Sequence, residues 1–447
     1  MSGSTVFRTG FRSLFRSMQV RNYRLFAGGQ VISLTGTWMQ RLAQDWLVYS
    51  LSGGSGTAVG ITTGLQFLPT LLFGLYGGVL ADRYSKRLLL LVSQGGMALT
   101  ALVLGLLDVT GAVQLWQVYA LAFILGLASV LDAPVRQAFV AELVGRDLVA
   151  NAVSLNSATF NSARIVGPAI AGLMINAWGT GPVFLINAVS FLGPICGLLL
   201  LHTTELQTAE RSPREAGQLR AGLRYVRARP DLLVLIVLVG IVGTFGLNFQ
   251  ITIVLIARQV FGAGAGSYGL LSTGLAVGCL LGALFAAARR TVRQRLVLGA
   301  AGAFGVLEVI TGLMPTYWTF FAMLIPTGAA VLTMTTAANA SLQARTSPRM
   351  RGRVMALYIL VFLGGTPFGA PMIGWMANTF GPRSSLLIGG TVSALGAVAA
   401  TVVLARARSL RLEAHLLRRH PHVHLRTLPV AGTGERPRPD PAYARAS

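Results

Sequence analysis

Twelve apolar stretches, each long enough to cross a lipid bilayer, fill the chain from about Leu25 to Leu404 with little between them. They fall at 25–51, 57–81, 88–108, 114–138, 152–177, 182–201, 232–257, 268–288, 296–314, 316–342, 354–378 and 384–404. A helix needs roughly 20 mostly apolar residues to span the hydrocarbon core. Within that core no water satisfies the backbone, so only helices and closed barrels cross it. Barrel strands alternate apolar and polar side chains; these stretches do not, and they read as helices. With 53% of its 447 residues hydrophobic and 11% charged, the chain carries too much apolar surface for a soluble fold.

A net charge of +23 would suggest a nucleic-acid partner in a soluble protein. The placement of the charge argues against one. With the N-terminus inside, all but four of the 37 Lys and Arg residues fall in segments facing one side of the membrane. The exceptions are Arg258 and Arg383 in loops of the other side, and Arg41 and Arg164 within spans. This is the positive-inside asymmetry. It predicts a multi-pass cell-membrane protein with both termini in the cytoplasm, an even span count, lipid contacts and no nucleic acid. Cys196 and Cys279 lie within spans and form neither a disulfide framework nor a metal spacing. No cleavable signal is recognised ahead of the first span, which is expected to direct insertion itself.

The chain divides into a basic amphipathic leader (1–24), a six-helix bundle (25–201), a central cytoplasmic loop (202–231), a second six-helix bundle (232–404) and a tail (405–447). The tail is rich in Arg and Pro and is expected to be disordered. In the leader, Phe7, Phe11, Leu14, Phe15 and Met18 follow helical spacing between arginines. Residues 219–232 place Leu219, Leu223 and Val226 on one face. Both segments read as helices lying on the membrane surface. The halves echo each other. Gly167-Pro168 with Gly172 in span five answers to Gly369 with Gly374 in span eleven, and Trp178-Gly179 answers to Phe380-Gly381 at the same offset. Two related six-helix halves are a transporter signature. Gly274, Gly278 and Gly282 in span eight, and Gly60 and Gly64 in span two, permit close helix approach.

Between spans two and three stands GGVLADRYSKR (77–87). With Gly78, Asp82, Arg83, Lys86 and Arg87, it resembles the loop signature of the major facilitator superfamily, although Ser85 stands where that family usually has glycine. Asp82 is an acid among cations at a membrane boundary, where an inter-helix charge pair could latch one conformation. Arg136, in LDAPVRQAF at the inner end of span four, is its candidate partner, and Asp132 is a second carboxylate there. The plainer reading is that these basic residues set topology and meet lipid headgroups. In span five, SARIVGPAIAGLMI (162–175) resembles the family's exporter motif at Gly167, Pro168 and Gly172, with Leu173 where a further glycine is common. Static packing of a kinked helix is the alternative. TGTWMQRLAQDWLVY (35–49), LQFLPTLLFGLYGGVLADR (65–83) and GLRYVRARPDL (222–232) are similar to the enterobactin-exporter-like branch of the superfamily, and the resemblance covers nearly all of 20–405. It implies an all-α polytopic protein of the major facilitator fold, twelve helices in two six-helix bundles, exporting a drug- or siderophore-like small molecule against protons.

Ionisable residues inside a membrane are costly and suggest function. In span one Arg41 and Asp45 lie one turn apart, with Trp38 and Tyr49 on the same stripe. Asp45 can bind and release a proton beside Arg41, or the two can form a self-neutralised structural pair. Arg164 in span five has no local partner and needs either a carboxylate from another helix or an anionic substrate. Glu308 in span nine reads as a peripheral acid, snorkelling or hydrogen-bonded. Phe245, Asn248 and Gln250 in span seven, with Asn156 in span five, are further cavity candidates, although single amides more often join helices.

No GxxxxGK[ST] phosphate loop accompanies Lys86, the chain's one lysine, and no HExxH, CxxC or nucleophile elbow occurs. His202, His415, His420, His422 and His424 lie at or beyond membrane edges and make a weak case for metal. The expectation is a non-enzymatic transporter, acting as a monomer, without cofactor or metal, working by alternating access on a small molecule and protons. An uptake or lipid-flipping carrier, the membrane subunit of an ATP-driven pump, and a non-transporting receptor or scaffold are the competing classes.

Overall fold

The computed structural model describes residues 15–207, 218–287, 289, 294–407, 410–414 and 423–427; the side chains of 75–79, 81, 82, 218, 219, 287 and 407 and of the two strands lie outside that description. The first half comprises α1 (Arg21–Leu51), α2 (Gly56–Arg83), α3 (Lys86–Val109), α4 (Leu115–Val144), α5 (Val149–Trp178) and α6 (Gly181–Leu199), the last interrupted at Phe191. A short helix α7 (Gln218–Arg227) follows. The second half comprises α8 (Pro230–Val260), α9 (Ala265–Ala287), α10 (Gln294–Leu313), α11 (Tyr317–Arg345), α12 (Arg351–Phe380, interrupted at Gly365) and α13 (Pro382–Ala407). In the tail, β1 (Leu410–Ala414) pairs antiparallel with β2 (Val423–Thr427). The rest of the tail, and most of the leader, lie outside the described residues.

Ten of these helices are long and apolar enough to cross a membrane. Helices α1 and α5 match them in length, with 31 and 30 residues, but are more polar. The polar residues are the reason: Gln30, Gln40, Arg41, Gln44 and Asp45 on α1, and Asn156, Asn161 and Arg164 on α5. At 1.5 Å per residue, each still extends about 45 Å.

Helix ends follow local chemistry. The Ser55 hydroxyl accepts the Ala58 N–H at 3.2 Å, and Thr316 and Thr319 form a reciprocal cap on α11. Gly145, Gly179 and Gly381 end α4, α5 and α12 at φ of 73°, 81° and 88°, a backbone region that other residues enter only with strain. Gly179 and Gly381 are the pair matched between halves in the sequence, and they do the same work in each half.

Packing builds the two halves separately and then joins them. In the first half α1 packs on α5 and α6, α2 on α4, and α3 on α4 and α6; in the second, α9 packs on α11, and α10 on α11 and α13. The halves meet where α2 packs on α12 and α5 on α9. These contacts are backbone-close. A side chain at Gly60 or Gly64 would strike the Ala370–Pro371 or Pro367 backbone, and one at Gly172 would lie 2.8 Å from the Ala265 carbonyl. Small residues are what let these helices approach.

Helix α8 is irregular. It runs regularly to Ile241, widens into a π turn at Val242–Gly246, loses helical form at Leu247–Asn248 and resumes at Phe249. The Leu247 N–H reaches back five residues to the Val242 carbonyl at 3.1 Å. The Asn248 amide donates to the Thr244 carbonyl at 2.7 Å and the Thr244 hydroxyl to Gly240 at 2.8 Å, so side chains satisfy the backbone that the break exposes. Helix α7 places Val226 fully buried and Gly222 against Arg353. Its apolar face is covered by α8 and α12 of the same chain, where the sequence suggests a lipid surface.

Candidate functional site

The described hydrogen bonds between the halves gather toward one end of the seam. Asn378 on α12 accepts the Gly56 N–H at 2.7 Å and donates to the Ser55 and Thr57 hydroxyls at 3.1 and 3.0 Å. The Gln259 amide donates to the Gly54 carbonyl at 2.9 Å, and Asn176 accepts the Gly266 N–H at 3.3 Å. Deeper in, the Thr273 hydroxyl donates to the Ile165 carbonyl at 3.1 Å. The molecule is thereby tied shut at the end that carries residues 54–57, 176, 266 and 378.

Beneath this closure lies Asp45, 5% exposed. Its Oδ2 accepts the Tyr268 hydroxyl from α9 at 3.0 Å, and the same hydroxyl lies 3.4 Å from the Gln250 carbonyl of α8. Trp46 stacks on Tyr268 with centroids 6.3 Å apart and planes at 19°, and Arg258 caps Trp46 at 5.5 Å. Tyr49 leans on Trp46 from the same helix. The acid is thus enclosed by aromatics and joined to the opposite half.

Arg41, one turn before Asp45, does not close a salt bridge onto it among the described ion pairs. Its guanidinium lies over the Trp38 ring at 4.8 Å, and its buried Nε has no described partner. Trp38 meets Phe160 of α5 edge-on at 5.7 Å. Arg164, one turn beyond Phe160, lies against Cys279 of α9 in the other half, with its buried Nε and Nη2 unpartnered. Gly167 makes this possible: a side chain there would lie 2.6 Å from Trp38 Cβ. The exporter-like motif therefore serves two contacts. Gly167 seats α5 on α1, while the Pro168 carbonyl and Gly172 seat α5 on Gly269 and Gly266 of α9.

The remaining sequence candidates fall elsewhere. Asn248 spends its amide on its own broken helix. Asn156 borders a crevice with Tyr23, Phe26 and Gln30, away from Asp45. Phe245 belongs to the π turn. Of the loop signature, Gly78 and Asp82 have side chains outside the described residues. Arg83 is exposed, Lys86 pairs with Glu142 at 2.5 Å, and Arg87 donates to the Leu198 and Leu199 carbonyls at the end of α6 at 2.7 and 3.0 Å. Arg136 is engaged by Asp132 at 2.9 Å and Gln30 at 2.9 Å, and Gln94 holds the other Asp132 oxygen at 2.7 Å. Every one of these described partners belongs to the first half. Glu308 neither snorkels nor is hydrogen-bonded among the described residues: it is 2% exposed and its Oε2 has no described partner. A cavity of about 550 Å³, lined by Leu281, Phe285, Leu296 and Ala303 with Arg295, lies among α9, α10 and α11 and touches neither the seam nor Asp45.

Sequence reasoning missed Tyr268, Glu142, Asn176 and Asn378. The first lies 223 positions from its partner, and none carries a local pattern that marks it.

Two helical halves joined along a glycine-lined seam, with ionisable side chains buried in it, define a multi-pass membrane protein of transporter type. The chain belongs to the family described as transmembrane secretion effector, within the major facilitator superfamily, with residues 13–431 matched. Its members are transporters and not enzymes. Among relatives, macrolide efflux protein A of Streptococcus pyogenes is 22% identical over 85% of this chain and 94% of that protein. The enterobactin exporter of Escherichia coli O1:K1 / APEC is 26% identical over 80% of this chain and 84% of that one. The staphyloferrin A transporter of Staphylococcus aureus is 23% identical over 58% of this chain, which spans 66% of that protein, and this chain spans 52% of an uncharacterised transporter of Bacillus subtilis. Among solved structures, the nucleoside transporter NupG superposes with a TM-score of 0.68 at 12% identity, covering 87% of this chain and 99% of that one. A bacterial homologue of the human lysosomal transporter Spinster, inward-facing and unoccupied, superposes with a TM-score of 0.62 at 16% identity, covering 86% and 96%.

Proposed function

We propose that the chain is a twelve-helix exporter with both termini in the cytoplasm, moving a small molecule outward as protons move inward. Counting α1 and α5 as spans supplies the two helices beyond the ten apolar ones. They are the polar pair because they carry the charges of the seam, and charge within a span is tolerated where it faces a bundle interior. With the basic loops inside, the tied end faces outward, which fits an inward-facing carrier.

The observation that carries this reading is the Asp45–Tyr268 bond between halves. A carboxylate shared across the seam changes its environment when the halves part, so its proton occupancy and the conformation bias each other. Each proton entering through about 100 mV supplies about 2.3 kcal/mol. Arg41 and Arg164 offer buried donors without described partners on the two helices that meet at Trp38 and Gly167. They fit a substrate bearing an acidic group, in a wall of Trp38 and Phe160 that suits its apolar part. Drug and siderophore relatives support a small-molecule cargo of this kind.

The test is flux in proteoliposomes under an imposed pH gradient, with a siderophore and a macrolide as probes. Gradient-dependent movement out of the cytoplasmic-side compartment is expected. Movement of either probe only inward, or flux indifferent to the gradient, overturns the reading.

A further inference from the structure

Glu308 is a buried acid outside the seam. It lies on α10, five residues before the helix ends at Leu313, and faces inward at 2% exposure. Its Oε2 has no partner among the described residues, and the same is true of the Ser393 hydroxyl on α13. The two oxygens lie beside the same glycine. A methyl-sized group on Gly246 would come 3.2 Å from Glu308 Oε2, 2.8 Å from Ser393 Oγ and 2.7 Å from the Phe304 ring. One on Gly389 would come 3.1 Å from Glu308 Oε1 and 2.6 Å from the Phe245 carbonyl. Glu308 thus occupies space that Gly246 and Gly389 leave free of side chains, and Gly246 closes the π turn of α8. π turns in helices recur at functional positions.

Among the described residues no cation pairs with the acid. On the elements packed against α10, the described charged groups are Asp231 and Arg258 on α8, Arg345 on α11, and Arg383 and Arg406 on α13, with Arg295 on α10 itself. Arg345 pairs with Asp231, Arg258 caps Trp46 and Arg383 donates to the Met314 carbonyl at 2.9 Å. An ionised carboxylate buried with no ion-pair partner among the described residues is costly, whereas a neutral acid fits.

We propose that Glu308, packed with Ser393 against Gly246 and Gly389, is a second proton-binding site, occupied while the seam is tied at Asn378 and emptied when that end opens. The proton sits on a carboxylate oxygen and needs no further reactant. Its loss leaves a bare charge that α8 and α13 can relieve only by admitting water, so deprotonation favours opening. The binding site stands on its own geometry; its part in driving transport rests on the exporter reading above.

The experiment uses the full chain in lipid nanodiscs. Infrared spectra at neutral pH are compared for wild type, wild type carrying ¹³C-carboxyl glutamate, Glu308→Gln and Asp45→Asn. The expected result is a protonated-carboxyl band that shifts with the glutamate label, disappears in Glu308→Gln and survives in Asp45→Asn. The labelled wild type decides the matter even where the variant fails to fold, since absence of a protonated glutamate band overturns the site. Spin labels at Leu51→Cys and Phe380→Cys, with Cys196 and Cys279 replaced by serine, then report the tied end. Their separation should lengthen as pH rises in the parent and stay short in Glu308→Gln. Identical titrations overturn the link to opening. Failure of the exporter reading would abolish gradient-driven flux and leave the band in place.

Discussion

Tyr268 donates to Asp45 across the seam at 3.0 Å, and its ring lies parallel to the indole of the next residue, Trp46. The hydroxyl is held by stacking before it is held by the bond, so the two can be separated by mutation. Tyr268→Phe keeps the stack and deletes one charge-assisted bond, a loss of about 1.5–3 kcal/mol. The closed state should give way to the open one by roughly ten- to a hundredfold, read as a lengthened distance between labels at positions 51 and 380. An unchanged distance distribution would show that the bond does not hold the end shut.

Asp45→Asn retains size and hydrogen bonding but cannot exchange a proton. Flux of a transported probe should persist at a reduced rate and lose its dependence on the imposed pH gradient. Gradient dependence equal to that of wild type would remove Asp45 from coupling.

Gly374 meets the Gly56 carbonyl without space for a Cβ. Gly374→Val should cost the closed arrangement about 1–3 kcal/mol through overpacking. Cysteine at position 51 should label faster with a membrane-impermeant thiol reagent in this variant. Labelling at the parent's rate would mean that α2 and α12 accommodate the bulk without parting.

Arg136 and Asp132 form a buried pair whose other contacts are neutral amides. Removing one member leaves the other uncompensated, at about 3–5 kcal/mol for such pairs. Arg136→Gln should lower the thermal midpoint in detergent sharply, and Arg136→Gln with Asp132→Asn should recover most of it. Equal midpoints in the single and double variants would argue that the pair acts through something other than charge balance.

The sequence makes the spans legible because apolar length is a local property, and α10 and α13 begin and end within a few residues of expectation. The glycine echo between Gly179 and Gly381 is legible for a similar reason: a helix stop is written in one residue. Partnerships across the seam are different. Asp45 and Arg41 look like a pair because they are close in sequence, yet the bond goes to Tyr268 on another helix. Asn248 looks like a ligand amide because its neighbours are aromatic, yet it repairs a break in α8 that no periodicity announces. Glu308 looks peripheral because span nine is, yet its side chain turns inward through gaps left by glycines on two other helices. Each of these depends on what a distant helix lacks or supplies, and a linear reading sees only one side of the contact.

The glycine seam between α2 and α12 has a mechanical consequence. Two backbones that touch at glycines have little to disentangle as they separate, and few staggered contacts to rest on partway. Once the Asn378 clasp lets go, half-open widths are left unsupported, and the gate should behave as a switch with two settings rather than a valve that can be throttled.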